Sequence, residues 1–177
     1  MKDLTERFFE GDRRALARVL SRIESGSSVG REYMQNLYPR SGNAHTIGVT
    51  GGAGSGKSTL TGALAAEYRK RNYKVGIIAV DPSSPFSQGA ILGDRIRMQS
   101  LILDPGVFVR SMASRGALGG LAPTIDDVIA AMDAFGFEYI LIETVGAGQD
   151  EVEIAGSALT TIPVSYTHLT LPTNREV

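Results

Sequence analysis

The 177-residue chain predicts an α/β fold, a mostly parallel sheet flanked by helices, with a helical extension at the N-terminus. Three observations carry that expectation. Apolar runs rich in β-branched residues, such as Val75-Gly76-Ile77-Ile78-Ala79-Val80, alternate with helix-period segments, as strands buried on both faces by crossover helices do. Gly51-Gly52-Ala53-Gly54-Ser55-Gly56-Lys57-Ser58-Thr59 fits G-x-x-x-x-G-K-[ST] between a short strand and a helix. The first 40 or so residues carry helical periodicity only.

Bulk properties bound the possibilities. The length suits one α/β domain, and 42% hydrophobic with 21% charged residues is a soluble globular composition. A formal net charge of −1 gives no electrostatic reason to expect nucleic acid or an anionic membrane as partner. The absence of Cys excludes disulfides and thiolate metal sites. The charged start, Met1-Lys2-Asp3-Leu4-Thr5-Glu6-Arg7, does not read as a signal peptide, and no apolar run approaches the ~18 residues of a membrane helix. A cytoplasmic location is expected.

Taken in order, a short helix is expected over Leu4 to Glu10. A second follows Asp12 as N-cap, with Leu16, Val19, Leu20 and Ile23 on one face and Arg13, Arg14, Arg18 and Arg22 on the other, and stops at Gly26. That basic stripe reads as a solvated face. A third helix, Arg31 to Leu37, ends before Pro39. His45 to Thr50 is the first strand, the phosphate loop follows, and Leu60 to Arg71 is helical. Lys74 to Val80 is a buried strand ending in Asp81, and Pro82 to Gly93 is a loop. Asp94 caps a helix to about Leu103, Val107 to Ser111 is the next strand, and Met112 to Gly120 a second small-residue loop. Pro123 sits in the first turn of a helix reaching Phe135, and Phe137 to Ile142 forms another strand, closed by Glu143-Thr144-Val145-Gly146.

The chemistry follows from the loop. Its glycines let successive N–H groups turn inward, and the following helix adds its positive end, so Gly51, Gly52, Ala53, Gly54, Ser55, Gly56, Lys57, Ser58 and Thr59 are expected to cradle nucleotide phosphates. Lys57 is expected to reach the β/γ-phosphates and Ser58 to ligate Mg²⁺. An acid ending a buried strand, followed by Thr-x-Gly, is the partner such a loop needs. Glu143 is expected to hold Mg²⁺ through water or to orient the attacking water, and the Gly146 N–H to bond a γ-phosphate oxygen. Asp81, at the carboxyl end of its strand, faces the same crevice. From the residues, the catalytic candidates are Lys57 and Glu143 and the metal candidates Ser58, Asp81 and Glu143, with turn capping as the alternative for either acid; Asp94 reads equally as a helix cap or as a further catalytic and metal acid. Gln149 reads equally as a water-positioning amide or a surface residue, and His45 as a surface or satisfied histidine.

Long stretches beyond the loop carry a resemblance: Val80-Asp81-Pro82-Ser83-Ser84-Pro85-Phe86, Ile91-Leu92-Gly93-Asp94-Arg95-Ile96-Arg97-Met98, Arg110-Ser111-Met112-Ala113-Ser114-Arg115-Gly116 and Glu143-Thr144-Val145-Gly146-Ala147-Gly148-Gln149. Over residues 1 to 162 the chain resembles the P-loop GTPases that chaperone cobalamin-dependent methylmalonyl-CoA mutase, whose members are also labelled LAO/AO or ArgK-type transport ATPases or kinases. The resemblance implies a P-loop NTPase fold, GTP/GDP and Mg²⁺ as ligands, and GTP hydrolysis in the assembly and protection of the mutase. It implies a homodimer in full-length relatives, with no nucleic-acid or membrane partner. Asp81, Asp94 and Glu143 then surround Mg²⁺ and the γ-phosphate, with switches at Pro82 to Gly93 and Val145 to Glu153. Gln88 and Ala147 depart from the usual Gly and Val and touch loop shape only. Two other readings stand beside it: a P-loop ATPase or kinase linked to lysine/arginine/ornithine transport, and a nucleotide-binding fragment without turnover.

The domain boundaries expected are residues 1–42 for the helical extension, 43–162 for a truncated GTPase domain and 163–177 for a non-native tail. Val164-Ser165-Tyr166-Thr167-His168-Leu169-Thr170-Leu171-Pro172-Thr173 resembles the translated read-through of a transposon-type sequencing-library adapter, so residues 164 to 177 are expected to be extended or irregular with few buried contacts. No Asn-Lys-x-Asp segment, which reads guanine in that family, occurs in the chain, and the guanine preference rests on the resemblance.

Overall fold

Five parallel strands in the order β3-β2-β4-β1-β5 form the centre of the protein. The structure, a computed structural model, describes residues 3–81, 101, 103–113, 121–144 and 150–165, with Asp81, Ala113 and residues 121–123 and 150–153 described at the backbone only. The strands are β1 (His45–Thr50), β2 (Val75–Asp81), β3 (Val107–Ala113), β4 (Tyr139–Thr144) and β5 (Thr160–Pro163). The helices are α1 (Leu4–Phe9), α2 (Arg13–Glu24), α3 (Ser28–Leu37), α4 (Lys57–Lys70), α5 (Leu121–Phe135) and α6 (Asp150–Ser157). The expected α/β class holds.

Alternation along the strands divides the core in two. Ile47, Val49, Val75, Ile77, Val107 and Leu141 pack under α4 through Leu60, Leu64, Ala65 and Tyr68. On the opposite face Ile78, Val80, Ile140 and Ile142 join Ile125, Val128 and Met132 of α5, Ile154 of α6, and Phe8, Leu16, Leu20 and Met34 from the three N-terminal helices. The extension thus shares its core with the sheet. Leu16 and Leu20 are wholly buried, each contributing about 1.5–3 kcal/mol of apolar transfer.

The differences from expectation have local causes. Helix α3 begins at Ser28 rather than Arg31, because the Ser27 hydroxyl accepts from the Gly30 N–H ahead of the first buried apolar side chain. Helix α4 begins at Lys57 rather than Leu60, because the Leu60 N–H already bonds the Gly56 carbonyl. Strand β3 extends two residues beyond Ser111, its register with β2 pairing Val80 with Met112 and Asp81 with Ala113. Strand β4 starts at Tyr139, since Gly136 at φ +102 still belongs to the turn leaving α5. His45 is exposed and its Nε2 lies 2.9 Å from the Thr160 hydroxyl, as a satisfied surface histidine.

One member of the basic stripe is not solvated. Arg13 donates to the carbonyls of Asp104, Pro105 and Val107 at 3.3, 3.1 and 2.6 Å and lies over the Phe108 ring, bracing α2 against the start of β3. Arg14, Arg18 and Arg22 are exposed.

The tail boundary expected after Ile162 falls inside β5, which runs to Pro163, and the Val164 N–H donates to the Thr50 carbonyl at 2.7 Å. Val164 also packs beside Ile162 against the α4-side core. The tail from Tyr166 on, the loop from Pro82 to Gly93, Asp94, Gly146 and Gln149 lie outside the described residues.

Two results follow from this packing. Helices α2 and α3 touch at Gly30, where a Cβ would stand 2.3 Å from the Arg22 carbonyl oxygen and 2.8 Å from its carbon. Both are backbone atoms, so Gly30→Ala must push the helices apart, at about 1–3 kcal/mol, read as a lower urea midpoint. Separately, the Arg69 guanidinium bonded to Asp104 at 2.9 Å, helped by the Gly106 N–H, holds the Asp104 carboxyl below its ordinary value. A pKa depressed in the folded state stabilises above the unfolded value of ~3.9 and loses that effect as pH falls through the folded value. Urea melts at pH 7 and pH 3 should show Asp104→Asn losing stability at pH 7 and closing on the parent at pH 3.

Candidate nucleotide site

The strands β2, β4 and β1 lie side by side and parallel, so Asp81, Thr144 and Thr50 end at one edge of the sheet. From β1 the chain turns through α4 toward β2, whereas from β4 it turns through α6 toward β5. The crevice between β1 and β4 is therefore a topological switch point, where open α/β sheets bind ligands.

The loop from Gly51 to Gly56 occupies that crevice. Gly51, Gly54 and Gly56 have φ of +130, +76 and +98, conformations that favour glycine. At Gly51 the demand is doubled, since a Cβ would meet the Val164 carbonyl oxygen at 2.0 Å. Gly52, Ala53 and Gly54 are exposed at the turn, closed by a 3.2 Å bond from the Ser55 N–H to the Gly52 carbonyl. Gly56 caps α4 with no side-chain partner for the first turn. A first turn without a side-chain cap is the ordinary condition of an anion-binding helix start.

Lys57 is 5% exposed, and its Nζ donates to the Gly51 and Gly52 carbonyls at 2.7 and 2.9 Å. The ammonium is thereby held across the loop, with one of its three N–H donors remaining for a phosphate oxygen. Register places Val49 beside Glu143, whose carboxylate accepts a short hydrogen bond from the Ser58 hydroxyl at the start of α4. Glu143 is 8% exposed. Thr59 is exposed on the outer side of that turn.

The fold therefore brings together the loop, Lys57, Ser58 and Glu143. Asp81 closes β2 at the same edge, described at the backbone only, and Asp94 and Gly146 lie outside the described residues. Of the proposed metal set, side-chain positions are thus described for Ser58 and Glu143. Three hydroxyls were not anticipated as buried polar groups here. Among the described residues, Ser55 Oγ, Thr61 Oγ1 and Thr144 Oγ1 are enclosed without a hydrogen-bond partner. Thr61 follows Lys57 one turn along the buried stripe of α4, and only that spacing hinted at it.

Comparison with known proteins places this site in a family. A sequence model described as "Methylmalonyl Co-A mutase-associated GTPase MeaB" matches residues 14–169. A provisionally named GTPase of Pyrococcus abyssi is 52% identical over 163 residues, covering 92% of this chain and 50% of that protein. The fused isobutyryl-CoA mutase of Cupriavidus metallidurans is 39% identical over 149 residues, 81% of this chain and 13% of that protein. A solved structure named LAO/AO transport system kinase superposes with a TM-score of 0.70 at 27% identity, covering 91% of this chain and 48% of that one. The chain spans about half the length of the first of these relatives. Among the described residues no helix is long and apolar enough to cross a membrane. With the phosphate-loop fold on one side and a match over most of its length on the other, the chain belongs to the methylmalonyl-CoA mutase-associated GTPase (MeaB) family.

Proposed function

We propose that this chain is the nucleotide-binding part of a Mg²⁺-dependent GTPase that assists the assembly and protection of a cobalamin-dependent acyl-CoA mutase, methylmalonyl-CoA mutase in the first instance. The observation that carries the nucleotide reading is the buried Lys57 ammonium strung across the Gly51 and Gly52 carbonyls at the mouth of a glycine turn. The fused mutase relative supports the choice of partner.

The residues present fit Mg²⁺. A hydroxyl and a carboxylate already meet at Ser58 and Glu143, and this cation takes one or two protein oxygens together with phosphates and waters. Ser58 would ligate it, with Glu143, Asp81 and Asp94 as its carboxylate surround. Held there, the ion would supply positive charge to offset the negative charge that develops on the phosphates during transfer. The chain's own groups do the rest: the loop N–H groups and the Lys57 ammonium orient the triphosphate, and the Gly146 N–H senses the γ-phosphate. The contact with Ser58 favours Glu143 as the carboxylate on the metal side rather than the one that orients water. Pro82 to Gly93 and Val145 to Glu153 act as the switches that report nucleotide state to the mutase. Within this reading residues 1–42 form the extension and 43–162 the GTPase domain, the protein acts in the cytoplasm, and full-length copies dimerise.

Titrating GTP and ATP against the full-length protein by calorimetry, with released phosphate measured in parallel, tests the reading. GTP is expected to bind at least tenfold tighter and to be hydrolysed only with Mg²⁺. The similarity to the LAO/AO transport system kinase favours a second reading, a transport-linked ATPase or kinase. ATP preference, or phosphate transferred to an acceptor other than water, would decide for it. In the same assay Asp81→Asn and Asp94→Asn should each raise the Mg²⁺ concentration at half-maximal activity severalfold, and an unshifted midpoint would remove that residue from the metal's surround.

A further inference from the structure

Helix α2 presents Arg14, Arg18 and Arg22 at i, i+4 and i+8, all exposed on one face. Two like-charge pairs at this spacing weaken a helix. The other arginines of the region are engaged: Arg13 by the carbonyls before and within β3, and Arg110 by both oxygens of Glu24 at 2.6 Å. Among the described residues no hydrogen bond or ion pair engages the guanidinium of Arg14, Arg18 or Arg22. Arg18 and Arg22 border an open cleft of about 630 Å³ whose apolar lining is Leu4, Ala17, Val29 and Tyr33. Val29 is 41% exposed, an apolar side chain left at the surface between charged groups.

A cationic rim around a small apolar floor is the complement of an acidic protein segment that carries an apolar anchor. We infer that this face of α2 and α3 docks an acidic surface of the acyl-CoA mutase, with carboxylates on the three arginines and one apolar side chain against Val29 and Tyr33. The inference rests on the mutase partnership proposed above. The relative that holds a segment like this one in the same polypeptide as a mutase argues for that occupant. The dock packs on the sheet face opposite α4, so the phosphate loop stays open to nucleotide while the partner is bound.

The test uses the full-length protein and its acyl-CoA mutase, with affinity measured by calorimetry at about 50 and 300 mM salt, on either side of strong screening. The variants are Arg18→Glu and the triple Arg14→Glu/Arg18→Glu/Arg22→Glu. Arg18→Glu turns two repulsive i,i+4 pairs into attractive ones, so its melting temperature should hold or rise, which separates a docking effect from unfolding. Affinity for the mutase is expected to fall at least tenfold in Arg18→Glu and further in the triple variant, the salt dependence of the parent to be largely lost, and GTP affinity to stay unchanged. Equal mutase affinity in parent and triple variant refutes the arginine dock alone. No complex with the parent at low salt refutes the mutase partnership itself, and the dock with it. Phosphatidylserine vesicles bound by the parent and not by the triple variant, with mutase affinity unchanged, make the stripe a membrane contact and overturn the proposal.

Discussion

Lys57→Ala is expected to abolish tight triphosphate binding. The side chain is almost fully enclosed, and its ammonium spans two loop carbonyls at hydrogen-bond distance. Two consequences of truncation act together. The loop loses the cross-link that holds the Gly51 and Gly52 carbonyls on one cation, and the triphosphate loses a positive charge in a site with little water to screen it. A hydrogen bond to a charged group contributes about 1.5–3 kcal/mol, so losing the one donor left for a phosphate oxygen amounts to roughly 10- to 10²-fold in Kd, and the lost loop cross-link adds to it. Calorimetry with GTP reads this directly. A melting curve alongside it distinguishes lost binding from lost fold, because the large apolar side chains of both core clusters are untouched. Affinity equal to that of the parent would remove Lys57 from the phosphate site.

Glu143→Gln should separate binding from turnover. The amide retains an oxygen able to accept from the Ser58 hydroxyl, so the contact that closes α4 onto β4 survives along with the shape of the site. What disappears is the negative charge. Nucleotide affinity is expected to stay within about threefold while kcat falls by about 10²-fold or more, the scale of losing one preorganised group at a reacting centre. Glu143→Ala should behave differently, losing stability as well, since the Ser58 hydroxyl is then deprived of its acceptor. Single-turnover measurement with saturating GTP checks the rate. Parent-like hydrolysis in Glu143→Gln would make the residue a structural tie between α4 and β4.

Much of this was legible because it is local. The α2 boundaries and the Asp12 cap follow from one polar residue and a four-residue apolar rhythm. The phosphate loop is legible for the same reason: its glycines and Lys57 lie within eight positions, and backbone conformation there depends on near neighbours. Boundaries failed where a hydrogen bond rather than an apolar residue starts a helix. Ser27 and Gly56 set the starts of α3 and α4 ahead of any hydrophobic signal. The role of Arg13 was hidden because its acceptors are carbonyls about ninety residues away, invisible to composition or periodicity.

By itself the sequence determined the α/β class and the glycine-rich loop with its lysine, and it offered several acids, Asp81 and Glu143 at strand ends among them, as counterparts to that loop, since each is written in short-range patterns of glycine, charge and apolar alternation. Only the tertiary structure showed that Glu143 stands against the start of the helix that follows the loop. Parallel pairing sets Val49 of β1 beside Glu143 of β4 and so carries a carboxylate to Ser58 across 85 residues of chain. It also decided that Gly30 is a contact between helices and that Thr61 and Thr144 bury their hydroxyls. Register and packing arise from surfaces that meet after the chain has folded, and a one-residue slip in a strand would turn Glu143 to the other face of the sheet.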